Sequence, residues 1–511
     1  MALNSRYKNS MSDEFSDQST LNEWKIVEAG VLTAKHDESG NREFLDAAVA
    51  LEKIGDVNVA RKEEIEKETK HDLVAAIRAM AEQVDAANPD KNYGRLIHQG
   101  ITSYDTEDTA TSLMLAKAGA KMLKRLSELE DALIEKAETF QFPPCLEFTH
   151  NQPAEPITVG KRFLDAAIGV REQKNRFTFE TETANLCKIR GAVGIYSGPL
   201  SPQFEARVAK SLGQKVAPVA TQILPIEDLL PFFNPFLTVA CKIENFAQNM
   251  RLLSGAEAEI KEGFAKGQTG SSVMTFKQNP INIENITGAA RKMKALYSEL
   301  AHATATWRGR DISNSFQVAR HIIPEMFETM EHMISRTISI LKGLLVYPVQ
   351  SFRNLDKYGD FLFAGAAKNY LATHLSAASN ETVYSLVQQY SMDAKFTADW
   401  RGEQLSLFDM LAPHVEKTGG AKVLAGLKEV MSLTNNLRNV AGCYEVAGYK
   451  VDGYAHEKMV DYVLSTGQLK YFKVYDSLKF INMYRDIALR NNAGGAALDN
   501  AVKKFKSELV R

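Results

Sequence analysis

Long amphipathic helices are the feature that most restricts how this chain can fold. In the stretch TSLMLAKAGAKMLKRLSELEDALIEKAETF, apolar residues recur at steps of three and four and so lie on one face of a single helix: Leu115, Ala118, Met122, Leu126, Leu129 and Leu133. Four further stretches predict long helices. The first of these follows Pro156 and runs for about thirty residues, ending before Gly191. The other three span roughly residues 236–260, 287–308 and 324–346.

These helices indicate the fold class. Each is much longer than the average globular helix of about 11–12 residues, as is typical of a bundle of long helices. Alternating β-branched runs bounded by turn residues are few and short, so the sequence predicts an all-α fold. Pro348 and the polar run QSFRNLDKYGD then interrupt the helical pattern. We expect the 511 residues to form three domains, at 1–92, 93–346 and 347–511.

Charge and cysteine spacing argue against several functions. With 61 Lys and Arg against 63 Asp and Glu, the net charge is −2, and we expect no nucleic-acid partner. The polar start MALNSRYKNSMSDEF and the lack of an apolar run of about 18 residues predict a cytoplasmic protein with no membrane partner. The cysteines form no CxxC pair, so we predict reduced core thiols rather than a zinc site or disulfides: Cys145, Cys187, Cys241 and Cys443.

The segment HQGITSYDTEDTA breaks the helical pattern with polar residues just ahead of a long helix. His98, Thr102, Ser103 and Asp105 crowd a turn that contains a glycine. Hydroxyl and amide groups at a helix N-terminus are suited to bind a carboxylate or a phosphate. An ordinary capping turn, with Thr102 or Ser103 as the cap, explains the same residues.

Histidines mark two further candidate segments. His150 lies in the proline-bounded stretch FTHNQPAEP between two long helices. Imidazole changes its charge near neutral pH, which makes His150 a candidate proton donor or acceptor, although a local hydrogen-bonding role explains a single loop histidine equally simply. His71 and Asp72, in KETKHDLVAAI, are by themselves compatible with an ordinary helix surface.

The segment KGQTGSSVMTFKQNPINIEN cannot be a core helix, because its glycines and its proline oppose one and the apolar period is lost. It is typical of a mobile loop that closes over a ligand. Backbone N–H groups at residues 270–272 are candidates for an anion nest, and Lys277 adds positive charge. A flexible surface loop remains the alternative.

In order along the chain, several motifs resemble those of the fumarase/aspartase superfamily of fumarate-forming lyases, and within it the members that act on succinylated purine nucleotides. They are SRYKNSMSDEFSD, KETKHD, HQGITSYDTEDTA, THNQPAEPITVGKR, RGAVGIYSG, GSSVMTFKQNP, RDISNS and VYPVQSFRNLD, and they cover roughly residues 5–400. The resemblance implies a homotetramer with a core of about twenty helices and active sites shared between three subunits.

The same resemblance implies roles for individual residues, with a small-molecule nucleotide substrate and no metal or organic cofactor. Ser271 is expected to be the general base and His150 the general acid, oriented by Glu284. Lys277 and Asn279 are expected to hold the substrate carboxylate that takes up charge. The other expected substrate contacts are Thr102, Ser103 and Gln222 on the succinyl side, His98, and on the nucleotide side Arg6, Tyr7, His71, Asp72, Arg310, Ser315 and Arg320.

The chain departs from the family pattern at several positions. Thr275 stands where the signature has proline, and Gly309 replaces the glutamate that usually precedes the arginine. Ile226 and Glu227 stand where relatives have an arginine and an aspartate, and Arg320 is one residue beyond the family spacing. These changes affect the nucleotide side and leave the groups expected for elimination in place.

Two other functions are compatible with the sequence. One is the release of fumarate from a different succinylated amine, such as argininosuccinate. The other is a non-catalytic helical scaffold that kept the fold and lost the reaction, since fold alone does not establish function. The presence of all five residues expected at the reacting atoms disfavours the scaffold.

Overall fold

In the computed structural model, residues 7–141, 143–264, 267–305, 309–375, 379–403 and 405–449 are described. Helices dominate this part of the chain. They are α1 Ser10–Glu14, α2 Asp17–Ser39, α3 Arg42–Lys53, α4 Val59–Thr69, α5 Asp72–Ala87, α6 Ser103–Thr139, α7 Val159–Thr183, α8 Pro202–Leu212, α9 Leu229–Leu253, α10 Ile281–Ala303, α11 Ile312–Gln317, α12 Ile323–Gly343, α13 Pro348–Asp356, α14 Ala364–His374, α15 Asn380–Arg401, α16 Leu407–Val430, α17 Leu433–Leu437 and α18 Val440–Val446. Arg6 and the tail beyond residue 449 lie outside the described residues.

The five long helices expected from periodicity are confirmed as α6, α7, α9, α10 and α12. α7 ends at Thr183, earlier than expected, because the chain turns into a short parallel strand pair there. α9 begins seven residues before the expected start, with Pro235 inside it. Pro235 is the seventh residue of α9, so it removes one N–H that would otherwise donate to the preceding turn.

Short strands complete the architecture. The strand β1 Pro144–Thr149 pairs antiparallel with β2 Gln152–Thr158, and the two form a hairpin. The remaining strands have two residues each: β3 Leu186–Cys187 beside β4 Lys215–Val216, and β5 Ile260–Lys261 beside β6 Leu345–Val346. The all-α class is confirmed, since these pairs are minor additions to the helices.

Local sequence signals explain where several helices begin and end. The side chain of Ser16 accepts a hydrogen bond from the N–H of Ser19 at the start of α2, and Asn58 does the same for Arg61 in α4. These caps satisfy N–H groups that have no partner within the helix. α2 ends at Gly40, whose φ of 69° is the left-handed conformation that glycine adopts at low cost.

The chain divides into two compact units. Unit 1 comprises Met1–Leu129, Gly169–Asn245 and Asn285–Thr337, and unit 2 comprises Glu130–Ile168, Phe246–Glu284 and Ile338–Arg511. Every boundary falls inside one of the five long helices. The three-domain division expected from the sequence stays a prediction.

An aromatic cluster occupies part of the unit 1 core. Phe177, Phe232, Phe233, Phe236 and Phe327 are each at most 1% exposed. The Phe327 ring centroid lies 5.1 Å from that of Phe236 and 5.7 Å from that of Phe233, both in edge-to-face arrangements. Such contacts add to the stabilisation that comes from burying the rings.

Replacing Phe327 with alanine should destabilise the protein by about 3–5 kcal/mol, because it leaves a cavity among closely packed rings. Chemical denaturation followed by circular dichroism would measure the loss. Phe179→Ala is the matched control, since this ring is 64% exposed and its removal should change stability by less than about 1 kcal/mol. Equal losses for the two variants would contradict the proposed importance of the cluster.

Unit 2 has its own apolar core. Leu146 from β1 packs in one buried cluster with side chains from α13 to α17, including Leu355, Leu371, Leu411 and Leu427. Asp360 accepts hydrogen bonds from Ser406 and from the backbone N–H groups at the start of α16, at 2.8–2.9 Å. A carboxylate at this position stabilises the helix N-terminus.

The structure corrects one expectation about the cysteines. All four are free, and Cys145 and Cys187 are buried as expected, but Cys241 and Cys443 are exposed. Cys241 lies on a face of α9 that this single chain does not cover. Among the described residues, no helix combines the length and apolar character needed to cross a membrane, and no group of acidic, histidine and cysteine side chains is arranged to hold a metal ion.

Candidate active site

The turn before α6 is fixed by a buried carboxylate. Asp105 accepts a hydrogen bond from the Thr102 N–H at 2.9 Å and forms an ion pair with Lys188 at 2.9 Å, with both charged side chains fully buried. It also accepts hydrogen bonds from the N–H groups of Arg190 and Gly191. Asp105 is therefore the capping residue of this turn, and the half-buried hydroxyls of Thr102 and Ser103 make no hydrogen bond within the described residues.

His98 is held in one orientation. Its Nδ1 lies 2.8 Å from Glu28 Oε1, its backbone N–H donates to Glu28 Oε2, and Thr106 donates to the same fully buried carboxylate. The backbone at His98 has a φ of 61°, an uncommon value for a residue with a side chain. Because Glu28 occupies Nδ1, the Nε2 atom is the ring nitrogen left for a ligand.

A second group of predicted residues meets around Arg310. Its guanidinium donates to Gln222 Oε1 at 3.2 Å and lies over the ring of Tyr104, 3.9 Å from the centroid. Tyr104 in turn donates to Ser315 Oγ at 3.1 Å. The Nε of Arg310 is buried and has no hydrogen-bond partner among the described residues. An unsatisfied guanidinium N–H is costly to bury, and an anionic ligand would satisfy it.

Arg320 lies in a third group. Its guanidinium donates to Asp72 at 2.6 Å, lies 3.9 Å from Glu107, and sits over the ring of Trp24 at 5.2 Å. His71 Nδ1 lies 3.5 Å from the same aspartate. Arg320 itself lies within an irregular part of the helix. Residues Val318–Ile322 form a π-helical turn, which contains an additional residue compared with an α-helical turn.

An Arg310→Met variant should raise the KM for an anionic substrate by about tenfold or more while changing kcat much less. Methionine retains part of the packing against Tyr104 but removes the charge and the donors, which are worth about 1.5–3 kcal/mol per charged hydrogen bond. Steady-state kinetics would measure both constants. A fall in kcat alone, with KM unchanged, would contradict a role in ground-state binding.

The loop that carries Ser271 lies in unit 2. Ser271 is half-buried, and its Oγ accepts hydrogen bonds from the N–H groups of Met274 at 3.0 Å and Val273 at 3.3 Å. Asn279 donates to the Gly270 carbonyl at 2.8 Å, which closes the loop on itself. A side chain at Gly270 would collide with the backbone of residue 277, so this close approach requires glycine. N–H groups directed at a hydroxyl oxygen are the arrangement that stabilises an oxyanion.

The tip of the β1–β2 hairpin carries His150. Because Thr149 pairs with Gln152, His150 and Asn151 form a two-residue turn, with φ of 52° and 58°. Both residues of a type I′ turn need positive φ, and such turns connect twisted strands well. The turn presents the exposed imidazole at the end of a rigid hairpin rather than on a loose loop.

The remaining predicted residues occupy separate positions. Glu284 is exposed on the first turn of α10, with its carboxylate 3.9 Å from Arg251. Lys277 is exposed on the Ser271 loop. Tyr7 contacts His332 edge to face, with ring centroids 5.1 Å apart. No hydrogen bond joins His150 to Glu284 within the described residues of this one chain, so their pairing stays a prediction.

Sequence reasoning missed three charged residues that organise the candidate site. Glu28 and Lys188 are fully buried, and Glu107 is largely buried. A signal was present for two of them, since Glu28 interrupts the apolar run KIVEAGVL and Lys188 interrupts LCKI. A charged residue in such a run is buried with a partner or faces a site.

Comparisons with known proteins agree with these motifs. The sequence pattern of a family described as "Lyase" matches residues 4–294, more than half of the chain. Adenylosuccinate lyase from Bacillus subtilis (strain 168) is 33% identical over 75% of this chain and 86% of the relative. Adenylosuccinate lyase from Thermotoga maritima is 29% identical over 85% of this chain and 97% of the relative.

Solved structures support the fold. A fumarate lyase from Mesorhizobium sp. BNC1 superimposes with a TM-score of 0.74 at 19% identity, covering 86% of this chain and 97% of that structure. A 3-carboxy-cis,cis-muconate lactonizing enzyme from Pseudomonas putida gives a TM-score of 0.71 at 21% identity, covering 88% and 97%. At these identities the likeness is evidence for the fold alone.

Proposed function

The chain belongs to the lyase family that its residues 4–294 match, within the fumarase/aspartase superfamily, and from that membership we propose that it eliminates fumarate from adenylosuccinate to give AMP. The same chemistry would act on the succinylated aminoimidazole carboxamide ribotide. Both are steps of purine nucleotide biosynthesis, and we place them in the cytoplasm. The observation that carries the proposal is the Arg310 group: the guanidinium donates to Gln222 and lies over Tyr104, which Ser315 holds, and its buried Nε–H has no partner among the described residues.

The proposed reaction begins with a proton transfer from carbon. Ser271, as the oxyanion, removes a proton from the carbon next to a succinyl carboxylate, and the charge spreads into that carboxylate. The N–H groups of Val273 and Met274 support the serine oxyanion, because they already point at Oγ. Lys277 and Asn279 hold the carboxylate that takes up the charge.

The second step breaks the carbon–nitrogen bond. The electron pair left on carbon forms the double bond of fumarate, and the nitrogen departs as it takes a proton from His150. The hairpin turn fixes the position of this imidazole, and Glu284 accepts the other ring N–H and stabilises its charged form. Ser271 gains one proton and His150 gives up one, and the electron pair of the broken carbon–nitrogen bond leaves with the nitrogen, so the step needs no net proton from solvent.

Association of chains is part of the proposal. Glu284 is exposed and its carboxylate lies 3.9 Å from Arg251, and the loop side chains Val273 and Phe276 are 84% and 85% exposed. Large apolar side chains at this exposure favour burial against another surface. We infer a homotetramer in which neighbouring copies complete each active site.

The test is the ultraviolet absorbance change on mixing the purified protein with adenylosuccinate, with fumarate and AMP assayed in the products. Release of both supports the proposed reaction and substrate. The alternative substrate is another succinylated amine. Ile226 and Glu227 favour it, because relatives have an arginine and an aspartate at these two positions and the arginine charge is therefore missing. Fumarate release from argininosuccinate but not from adenylosuccinate would replace the proposal by that alternative.

A further inference from the structure

Glu28 is a buried carboxylate that holds the residue His98 by both its ring and its backbone. It lies on α2, and its side chain is 0% exposed. Its Oε1 atom lies 2.8 Å from His98 Nδ1 and accepts a hydrogen bond from the Thr106 hydroxyl at 2.6 Å. Its Oε2 atom accepts the His98 backbone N–H at 3.0 Å. One side chain of α2 therefore connects the turn before α6 to the second turn of α6 itself.

This arrangement determines which ring nitrogen of His98 carries a proton. Donors face both oxygens of Glu28, which is the arrangement that an ionised carboxylate requires. An ionised carboxylate can only accept hydrogen bonds, so Nδ1 forms its contact as an N–H donor. The hydrogen bond at one ring nitrogen of a histidine sets the state of the other.

The proton on Nδ1 decides what Nε2 can bind. In a neutral imidazole one ring nitrogen is a donor and the other is an acceptor. With the proton held on Nδ1, Nε2 offers a lone pair. The His98 ring is 22% exposed, and it belongs to the same turn as the half-buried hydroxyls of Thr102 and Ser103, so a ligand can reach it.

We propose that Glu28 is a positioning residue, which keeps the ring proton of His98 on Nδ1 so that Nε2 accepts a hydrogen bond from an N–H or O–H group of the substrate. This inference rests on the proposed function. Ionised carboxylate and phosphate oxygens have no proton to donate and cannot fill this role. In adenylosuccinate the available donors are the ribose hydroxyls and the nitrogen that bears the succinyl group.

Glu28→Gln keeps the shape of the side chain and reverses the proton arrangement. A carboxamide has one acceptor oxygen and one NH2 donor. The His98 backbone N–H needs the oxygen, because the opposite orientation of the amide places donors face to face. The NH2 group then donates to Nδ1, and the Thr106 hydroxyl rotates to accept the second amide N–H. Nδ1 becomes an acceptor, and the ring proton moves to Nε2, where it opposes the substrate donor.

The first measurement is nitrogen-15 NMR of the sedimented full chain labelled with nitrogen-15 histidine, at pH 8.5, above the range in which imidazole ordinarily titrates. His98→Gln identifies the signals of His98 among the ten histidines. We expect a protonated Nδ1 and an unprotonated Nε2 in the native protein, and the reverse in Glu28→Gln. A protonated Nε2 in the native protein, or the same tautomer in both proteins, would overturn the proposal.

Steady-state kinetics with adenylosuccinate separate positioning from a structural defect. Glu28→Gln should raise KM by about 10- to 30-fold and keep kcat within about threefold, because a contact made in the bound substrate is lost. Thr106→Val is the matched variant: it removes one hydrogen bond to the same carboxylate but leaves the Nδ1 proton in place, so KM should stay within about threefold. Glu38→Gln, at an exposed position of α2, should not change KM. Equal rises in KM for Glu28→Gln and Thr106→Val would contradict the proposed role.

Calorimetry with three nucleotides identifies the donor. AMP should bind the native protein more tightly than Glu28→Gln. If the donor is a ribose hydroxyl, 2′,3′-dideoxy-AMP should lose this preference for the native protein. If the donor is the exocyclic nitrogen, inosine monophosphate, which has an oxygen there, should lose it instead. A preference of equal size for all three nucleotides would show that Nε2 does not accept from either group and would overturn the proposal.

The two proposals can fail separately. If the tautomer reverses and AMP binds Glu28→Gln more weakly but adenylosuccinate is not cleaved, the assigned reaction fails and the role of Glu28 stands. If adenylosuccinate is cleaved and Glu28→Gln has the native tautomer and the native KM, the reaction stands and the role of Glu28 is wrong.

Discussion

Replacing Ser271 with alanine should lower kcat by about 10³- to 10⁴-fold, the largest effect that we expect from any single substitution. The variant loses the hydroxyl oxygen to which the Val273 and Met274 N–H groups donate. Fumarate release under saturating substrate measures the effect. The KM should change little, because the hydroxyl acts on the proton in the transition state rather than on the bound substrate.

The adjacent serine provides the control for this substitution. Ser272 has the same side chain in the same loop, but it is exposed. Ser272→Ala should keep kcat within a few fold of the native value, and both variants should retain the native circular dichroism spectrum and oligomeric state. Near-normal turnover by Ser271→Ala would show that another group removes the proton.

Replacing His150 with asparagine should lower kcat by about 10²- to 10⁴-fold, because the departing nitrogen loses its proton donor. Asparagine is preferred to alanine for this test, since it tolerates the positive φ of 52° that the hairpin turn requires. The turn is therefore preserved while the titratable ring is lost. Single-turnover measurements of fumarate formation separate this chemical step from product release.

A half-buried histidine outside the candidate site serves as the control. His36 lies near the end of α2, and His36→Asn should leave kcat unchanged. The His150→Ala variant should also lose turnover while the protein keeps its oligomeric state, with an added loss of stability from strain in the turn. If His150→Asn retained more than about a tenth of native kcat, a different group would be the acid.

The long helices could be predicted because their apolar period extends over many turns. α6 ends at Thr139, within one residue of the end of the periodic stretch, but it begins at Ser103, eight residues before that stretch and directly after the polar turn. The β1–β2 hairpin could not be predicted in the same way. Pro144, Pro153 and Pro156 fall within its strands, and prolines argue against a strand when only the sequence is available.

The candidate site was only partly accessible from the sequence. Thr102 lies in the polar turn before α6 and Ser271 in a glycine-containing loop, as their segments indicate, whereas His150 lies at the tip of a hairpin that was expected to be a loop. The partners that hold them come from distant parts of the chain, as Glu28 does for His98 and Lys188 for Asp105. No periodic pattern encodes such pairs, because each depends on how separate helices pack.

The π-helical turn at Val318–Ile322 keeps the packing of α12 intact. One inserted residue in a regular α-helix would rotate every later side chain by about 100° and move the whole buried face of α12 out of register. Confining the extra residue to a single wide turn leaves Met326, Phe327 and Met330 facing the core. Arg320, within this turn, reaches Asp72 at 2.6 Å, so the wide turn lets one segment both form this ion pair and keep the buried face of α12 in register.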